Sequence, residues 1–370
     1  MRENDIYKLN NTDDIISPQL IYYIDIVKRN TQHIIDISGG ADRLWPHVKT
    51  HKCLKMVQLL ESYGINKFKA ATIAEAEMLA NAGAGKVILA YPLVGPNIKR
   101  FISLAKAHPS VKFYAIDDDA GQCAILARNC REESYKMPLL IDVNMGMNRT
   151  GVEINRLAEL YIRASQIEGI SVEGLHCYDG NHHENDFEKR CQAVRETDES
   201  VQRVIKEITA KGYRCDTIVA GGTPSYPCHL KYTDWYVSPG TSFIHDYGYQ
   251  ENFPDLGCVP GAIVLTRVIS HPARGMFTLD LGYKAIAADP TVQRGKLVGW
   301  PDAEQVLQNE EHWVFRMKNG ADVPPIGTCL YVIPTHICPT SALYPEILIV
   351  QSGEIVDKWE VTARNRKITF

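Results

Sequence analysis

Between residues 20 and 238 the chain repeats one pattern: a short run of apolar, β-prone residues, then a longer stretch whose apolar positions recur every three or four residues. After a lead-in strand at 20–24 and a helix, the pattern predicts eight strands at 43–48, 67–71, 86–90, 111–116, 138–143, 170–177, 215–220 and 235–238. The intervening segments read as helices. Cys53, Met56, Val57 and Leu60 share one face, Thr72 and Glu75 have the spacing of a capping box, and Pro96 opens a run that aligns Ile98, Phe101, Ile102 and Ala105. Successive β-then-α units predict an α/β protein, a parallel (β/α)8 TIM barrel, with a doubly wound sheet as the alternative. Past Phe253 the period changes to strict alternation at 263–269, 276–281, 296–300, 312–317 and 329–333, separated by Gly and Pro turns. A mostly antiparallel β domain is expected there. The expected division is 18–252 for the barrel and 253–370 for the β domain, with 1–17 joining the latter.

Composition narrows the partner. The 370 residues are 45% hydrophobic and 23% charged, with a net charge of -4 and no run of Lys or Arg, which speaks against nucleic acid and anionic membranes and for a small molecule. Ten cysteines without a C-x-x-C pair sit mostly in apolar runs, as free thiols in a reducing cytoplasm do. The N-terminus is too polar for a signal peptide, and no apolar stretch approaches the ~18 to 20 residues of a membrane span.

The candidate chemistry gathers at the predicted carboxyl ends of the strands, where a barrel keeps its site. In W-P-H-V-K-T-H-K (45–52), Lys49 should end the first strand, desolvated and flanked by His47, His51 and Lys52, so that its free amine is favoured for Schiff-base chemistry. A solvated lysine on a basic strand end is the plainer reading. The fifth strand runs into D-V-N-M-G-M-N-R-T-G-V (142–152), and the sixth into H-C-Y-D-G-N-H-H (176–183). Gly221, Gly222 and Thr223 follow the seventh strand and Gly240 and Thr241 the eighth, offering bare N–H groups and hydroxyls of the kind that cradle phosphate, though a lone Gly-Gly-Thr is ordinarily a turn. In P-T-H-I-C-P-T (334–340), His336 and Cys338 lie two apart; in an extended segment both side chains face the same way and can share a divalent ion, or they can simply be a core histidine beside a thiol.

Together these motifs, with A-T-I-A-E-A-E (71–77), I-L-A-Y-P-L-V-G-P (88–96) and the W-E-V-T-A-R ending (359–364), resemble the D-serine dehydratase and D-threonine aldolase family, which has the alanine racemase type of fold. The resemblance runs over most of the chain. It implies a pyridoxal phosphate enzyme in which Lys49 carries the cofactor, Arg149 lies by the cofactor phenolate, Tyr178 partners the pyridine nitrogen, and Gly222, Thr223, Gly240 and Thr241 hold the phosphate. It also implies a divalent metal on His336 and Cys338, with zinc preferred on softness grounds over manganese or magnesium. The expected reaction is dehydration of a D-β-hydroxy amino acid to a keto acid and ammonia, with Lys49 taking the α-proton; His47 is the other catalytic candidate, a nearby histidine being the base that the aldol alternative needs. Retro-aldol cleavage to glycine and an aldehyde is the alternative, and a racemase or a non-catalytic cofactor-binding protein are the readings from other classes. A homodimer is expected, since barrel loops and a β domain of this type form a cleft most readily across chains. One departure stands out: the family usually has Arg-Pro-His where this chain has Trp45-Pro46-His47, which removes a cation from the expected site.

Overall fold

A computed structural model describes residues 6–318 and 322–370. The chain divides into two compact units, one comprising Met1–His33, Thr50–Lys52 and Thr241–Arg364, the other Ile34–Lys49, Cys53–Gly240 and Asn365–Phe370. Strand β1 (Gln19–Tyr23), expected to lead into the barrel, belongs instead to the first of these units, where it pairs parallel with β15 (Glu346–Gln351) and antiparallel with β9 (Ala262–Ser270). An apolar run of five residues fits either sheet, and only its partners decide.

In the second unit, β2 (Lys67–Ala70), β3 (Lys86–Leu89), β4 (Lys112–Asp117), β5 (Met137–Asp142), β6 (Ile170–Cys177), β7 (Thr217–Ala220) and β8 (Tyr236–Val237) form a seven-stranded parallel sheet in chain order. The predicted strand at 43–48 is not regular. Leu44 bridges Val237 and His47 bridges Lys69, so the segment joins the two edges of the curled sheet by single residues. Its backbone explains this: the Trp45 N–H donates to Val237 and the Pro46 carbonyl accepts from Lys69, but Pro46 has no N–H with which to continue a ladder. The residue that follows the expected strand, Lys49, therefore lies in a 3-10 turn, Val48–Thr50.

Local sequence accounts for the helices between strands. Thr72 accepts from the Glu75 N–H at 3.1 Å and Glu75 Oε2 accepts from the Ala71 N–H at 2.6 Å, while the helix Ile73–Ala82 stops at Gly83 in the left-handed region. Pro96 occupies the first turn of the helix Pro96–Ala107. Inside the sheet, Trp45 is fully buried among Ile88, Tyr114, Ile116, Leu140 and Val219. Its ring meets Tyr114 and Tyr236 edge-on at 5.7 and 5.4 Å, and its Nε1–H donates to the Phe68 carbonyl at 2.7 Å. The position that departs from the family's arginine is thus a packing residue of the barrel interior. Trp45→Ala is expected to cost about 3–5 kcal/mol of unfolding free energy in a denaturant titration, through cavity creation; a loss below about 1 kcal/mol would contradict this packing role.

The first unit carries the second sheet, adding β10 (Met276–Leu279), β11 (Gly295–Leu297), β12 (Ala303–Gln308), β13 (Trp313–Met317), β14 (Cys329–Pro334) and β16 (Glu354–Glu360) to β1, β9 and β15. All of its pairings except β1 with β15 are antiparallel. Ile21, Tyr23, Ile263, Leu265, Ile333 and Val350 form its core, and Tyr7 packs with them, its hydroxyl donating to the Pro260 carbonyl at 2.8 Å. No helix among the described residues is long and apolar enough to cross a membrane.

Candidate active site

The barrel unit holds a cavity of about 570 Å³ into which His47, Lys49, Lys69, Arg149, His176 and Tyr178 all open. That volume suits a ligand of cofactor size. Its titratable lining is basic or phenolic, with no carboxylate among the described lining residues. Lys49 is exposed rather than desolvated as expected, because the 3-10 turn lifts it clear of the packed segment at 44–46; its backbone N–H faces His47 Nδ1 at 3.3 Å. The desolvated lysine is Lys69 on β2, which is 2% exposed. Burial, and after it the neighbouring Lys49 ammonium, bring Lys69 down to about 7.

Tyr178 is held on several sides. The Arg149 guanidinium lies 4.9 Å from its ring centroid and the Lys69 ammonium 5.4 Å away. Two glycines make room for the ring. A Cβ on Gly222 would sit 3.0 Å from Tyr178 Cε2, and one on Gly180 would sit 2.5 Å from the hydroxyl. Gly180 is a site residue that sequence reasoning missed; its signal was the D-G step directly after Tyr178.

The glycine loops are not bare. Gly221 donates to the Cys177 carbonyl at 3.1 Å, Gly222 to Ser225 Oγ at 3.0 Å and Gly240 to Thr223 Oγ1 at 3.2 Å, so the two loops are tied to each other and to the end of β6. Behind them lies a buried relay. Ser225 Oγ donates to Asp179 Oδ1 at 2.6 Å, and His229 sits between Asp179 and Asp198 with both contacts at 2.9 Å. Burial works against the His229 cation, but the Asp179 and Asp198 carboxylates outweigh it and raise the imidazole to about 10. Burial likewise works against the Asp179 anion, and His229 with Ser225 holds that carboxyl below its usual range. Asp198 is pushed up by its burial, against the pull of His229. The His229 contribution is therefore fully present below the ordinary histidine value of about 6.5 and is lost as pH rises through about 10. Thermal unfolding is expected to fall steeply on approach to that pH in the wild type, and His229→Gln to start lower by about 3–5 kcal/mol with a flatter alkaline limb; parallel pH profiles would refute the assignment.

In the other unit, His336 and Cys338 do adjoin, though not along a strand. His336 is the extended residue that caps the helix Ile337–Leu343, and Cys338 is in its first turn. The Ile337 N–H donates to Asp246 Oδ2 at 3.0 Å, and the same carboxylate accepts from Tyr249, so one buried aspartate anchors two helix starts. His336 Nδ1 meets Asp289 Oδ2 at 2.5 Å, so this contact fixes the ring through Nδ1 and not Nε2. Cys338 Sγ lies 3.2 Å from Thr50 Oγ1 and 3.3 Å from Thr241 Oγ1, so the Thr241 hydroxyl, expected at a phosphate, approaches the thiol. Among the described residues no group of three or more His, Cys, Asp or Glu is placed to hold a metal ion; His336 and Cys338 adjoin as a pair. An imidazole nitrogen beside a thiol suits a divalent ion of borderline softness.

Residues 24–248 match the family described as alanine racemase, N-terminal domain, and residues 261–350 match a serine dehydratase domain. The chain belongs to the alanine racemase N-terminal domain family. This is the barrel of pyridoxal phosphate enzymes, and a cavity that brings together an amine, a guanidinium and a phenol fits that cofactor. Among curated relatives, the chain is similar to a D-threonine aldolase from Arthrobacter sp., 27% identical over 337 residues, covering 89% of this chain and 88% of the relative. It is also similar to a D-threo-3-hydroxyaspartate dehydratase from Delftia sp., 24% identical over 371 residues, covering 93% and 96%. A crystal structure of D-threonine aldolase from Filomicrobium marinum matches with a TM-score of 0.89 and 24% identity over 95% of this chain and 96% of that one.

Proposed function

We propose that the protein is a pyridoxal phosphate- and divalent metal-dependent lyase of D-β-hydroxy amino acids that eliminates water to give a keto acid and ammonia. The observation that carries the reading is the single cavity holding Lys49, Arg149 and Tyr178 in a chain of this family. Lys49 would hold the cofactor's aldehyde carbon, Arg149 and Tyr178 its ring, and the tied loops with Gly221, Gly222, Thr223, Gly240 and Thr241 its phosphate. Bound there, the cofactor supplies a sink for the electron pair left at Cα, and an ion on His336 and Cys338 supplies Lewis acidity toward the β-hydroxyl.

The remaining work falls to side chains. Whenever it is not holding the cofactor, Lys49 would be the free amine that takes the Cα proton. His47, whose ring nitrogen faces the Lys49 turn, orients that turn and can exchange its proton with solvent. Arg149 over the Tyr178 ring, with Gly180 and Gly222 closing on it, keeps the phenol in one orientation. Elimination rather than aldol cleavage is favoured because the His-x-Cys pair resembles the dehydratases of the family, whereas its aldolases more often place Asp there; the softness of the thiol bears on the choice of ion. The aldolase reading is kept alive by the D-threonine aldolases among the similar proteins. Incubation with D-serine, D-threonine and D-3-hydroxyaspartate, with products separated, tests the proposal: keto acid plus ammonia supports it, whereas glycine plus an aldehyde as the main products would replace it with the aldolase.

A further inference from the structure

The amino-terminal mouth of the barrel holds an arrangement that the cofactor reading leaves unused. Strands β2, β3 and β4 each open with a lysine, and the parallel register sets Lys67 beside Lys86 and Lys86 beside Lys112. Paired residues of parallel strands point to one face of a sheet, and here that face is inward: two residues further on, Ile88 and Tyr114 pack with Trp45 in the barrel interior. Like charges side by side on neighbouring strands destabilise a sheet, so each calls for compensation. The outer two have it. Lys67 Nζ donates to the Asp42 carbonyl at 3.0 Å and reaches Asp42 Oδ1 at 3.3 Å, and Lys112 Nζ donates to Glu173 Oε2 at 2.6 Å. The middle ammonium, on Lys86, has no hydrogen bond or ion pair among the described residues. Burial, with the Lys112 and Lys67 charges after it, pushes this group below the ordinary lysine range against the pull of Glu173.

Lys86 opens into a cavity of about 370 Å³ that shares no lining residue with the cofactor-sized one. Along the same strand Ala90 lines the other space, and Ile88 of the packed interior stands between them. The cations of the smaller cavity are Lys86, Lys112 and Arg214, and its carboxylates are Glu173 and Asp216. Both carboxylates are taken: Glu173 accepts from Lys112 and from the Tyr114 hydroxyl at 3.2 Å, and Asp216 Oδ2 accepts from Arg214 Nε at 2.8 Å. The positive charge left over is the one on Lys86. Ser171 and Thr217 add hydroxyls to the same lining. We propose that this mouth is a binding site for a phosphate group, free or carried by a small monoester, seated on the Lys86 ammonium. Phosphate oxygens accept from ammonium, guanidinium and hydroxyl donors arriving from several directions, whereas a carboxylate presents its acceptors in one plane. The volume leaves room for the organic part of an ester. The usual phosphate cradle of a barrel lies at the opposite, carboxyl ends of the strands, so the two sites are distinct.

The test is calorimetric titration with inorganic phosphate, glycerol 3-phosphate and succinate at fixed ionic strength. The protein is first saturated with pyridoxal phosphate, so that a phosphate site at the other end of the strands is already filled. Wild type is expected to bind phosphate saturably. Lys86→Met should weaken that binding by about tenfold or more, as loss of one charge-assisted hydrogen bond implies, while Lys86→Arg retains it. Without phosphate the Lys86→Met protein should unfold no earlier than wild type, because the uncompensated member of the lysine row is gone; with phosphate only the wild type and Lys86→Arg should gain in Tm. Lys86→Gln and Ser171→Ala stand in if Lys86→Met does not fold. Tighter binding of glycerol 3-phosphate than of phosphate assigns the site to a monoester, and the reverse order assigns it to the free ion. The comparison does not need the cofactor: Lys86 lies outside the cofactor cavity, so a protein that takes up no pyridoxal phosphate is titrated in the same way. Equal phosphate binding in wild type and the Lys86→Met and Lys86→Gln proteins, succinate bound as tightly as phosphate, or no saturable binding by wild type up to about 20 mM phosphate would each overturn the proposal.

Discussion

Lys49→Ala protein is expected to fold normally and to lose turnover of D-β-hydroxy amino acids by about a thousandfold or more, together with the visible absorption of bound cofactor. Folding should survive because Lys49 is exposed and its turn is held by backbone contacts, not by its side chain. The loss should be large because one amine is asked for two tasks, holding the cofactor and moving the Cα proton, and no neighbour can assume both. Lys69 is nearest in chemistry, yet it is 2% exposed and committed to Ser238 and His176. Added amines such as methylamine should restore part of the proton transfer without restoring tight cofactor binding. A Lys49→Ala protein that stays coloured and keeps more than about a tenth of the wild-type rate would exclude Lys49 from the reaction.

The barrel was legible because its signal is repeated: alternation of β-rich runs with helical periods survives an error in any one unit, and Thr72, Gly83 and Pro96 mark helix ends by local chemistry. What the pattern misplaced depends on partners distant in sequence. Residues 19–23 carry the same apolar content whether they pair with a barrel strand or, as they do, with 262–265 and 348–350. Pro46 was visible, but its effect was not: a missing N–H turns a predicted strand into two single bridges and lifts Lys49 out of the packed interior. The same displacement explains why desolvation was assigned to the wrong lysine. Lys67 and Lys69 alternate in K-F-K-A, a pattern that does not by itself say which face is covered, and both prove buried because the curled sheet turns that face inward. His176 and Asp142 stood in the motifs at the ends of β6 and β5, but only the parallel register that sets Asp142 beside His176 reveals them as a pair. For His336 and Cys338 the proximity was expected for the wrong reason, since a helix start and not an extended segment brings them together.

Removing the divalent ion is expected to separate binding from chemistry. Exhaustive chelation should leave cofactor absorption unchanged, because Lys49, Arg149 and Tyr178 line the barrel cavity, whose lining includes neither the His–Cys pair nor its Thr241 contact, while lowering keto-acid formation by about a hundredfold to a thousandfold. That magnitude is what the loss of a Lewis acid worth several kcal/mol implies for expulsion of a hydroxyl group. His336→Ala and Cys338→Ala should each behave like the chelated wild type, and zinc should rescue only the wild type. Asp289→Asn gives an intermediate result: Asp289 fixes the His336 ring through Nδ1, so its loss should weaken metal affinity by about tenfold to a hundredfold and be overcome at high zinc. Cys338→Asp is the most discriminating change, since it keeps an anionic ligand but hardens the site and should move the preferred ion toward manganese or magnesium. If the softness of the thiol also selects elimination, the same variant should raise the ratio of glycine and aldehyde to keto acid. Keto-acid formation that continues at its full rate in the chelated enzyme would sink the metal-assisted elimination, because the cofactor alone cannot expel hydroxide quickly, and the reaction would then have to find its acid among His47, Lys69 and His176 in the barrel cavity.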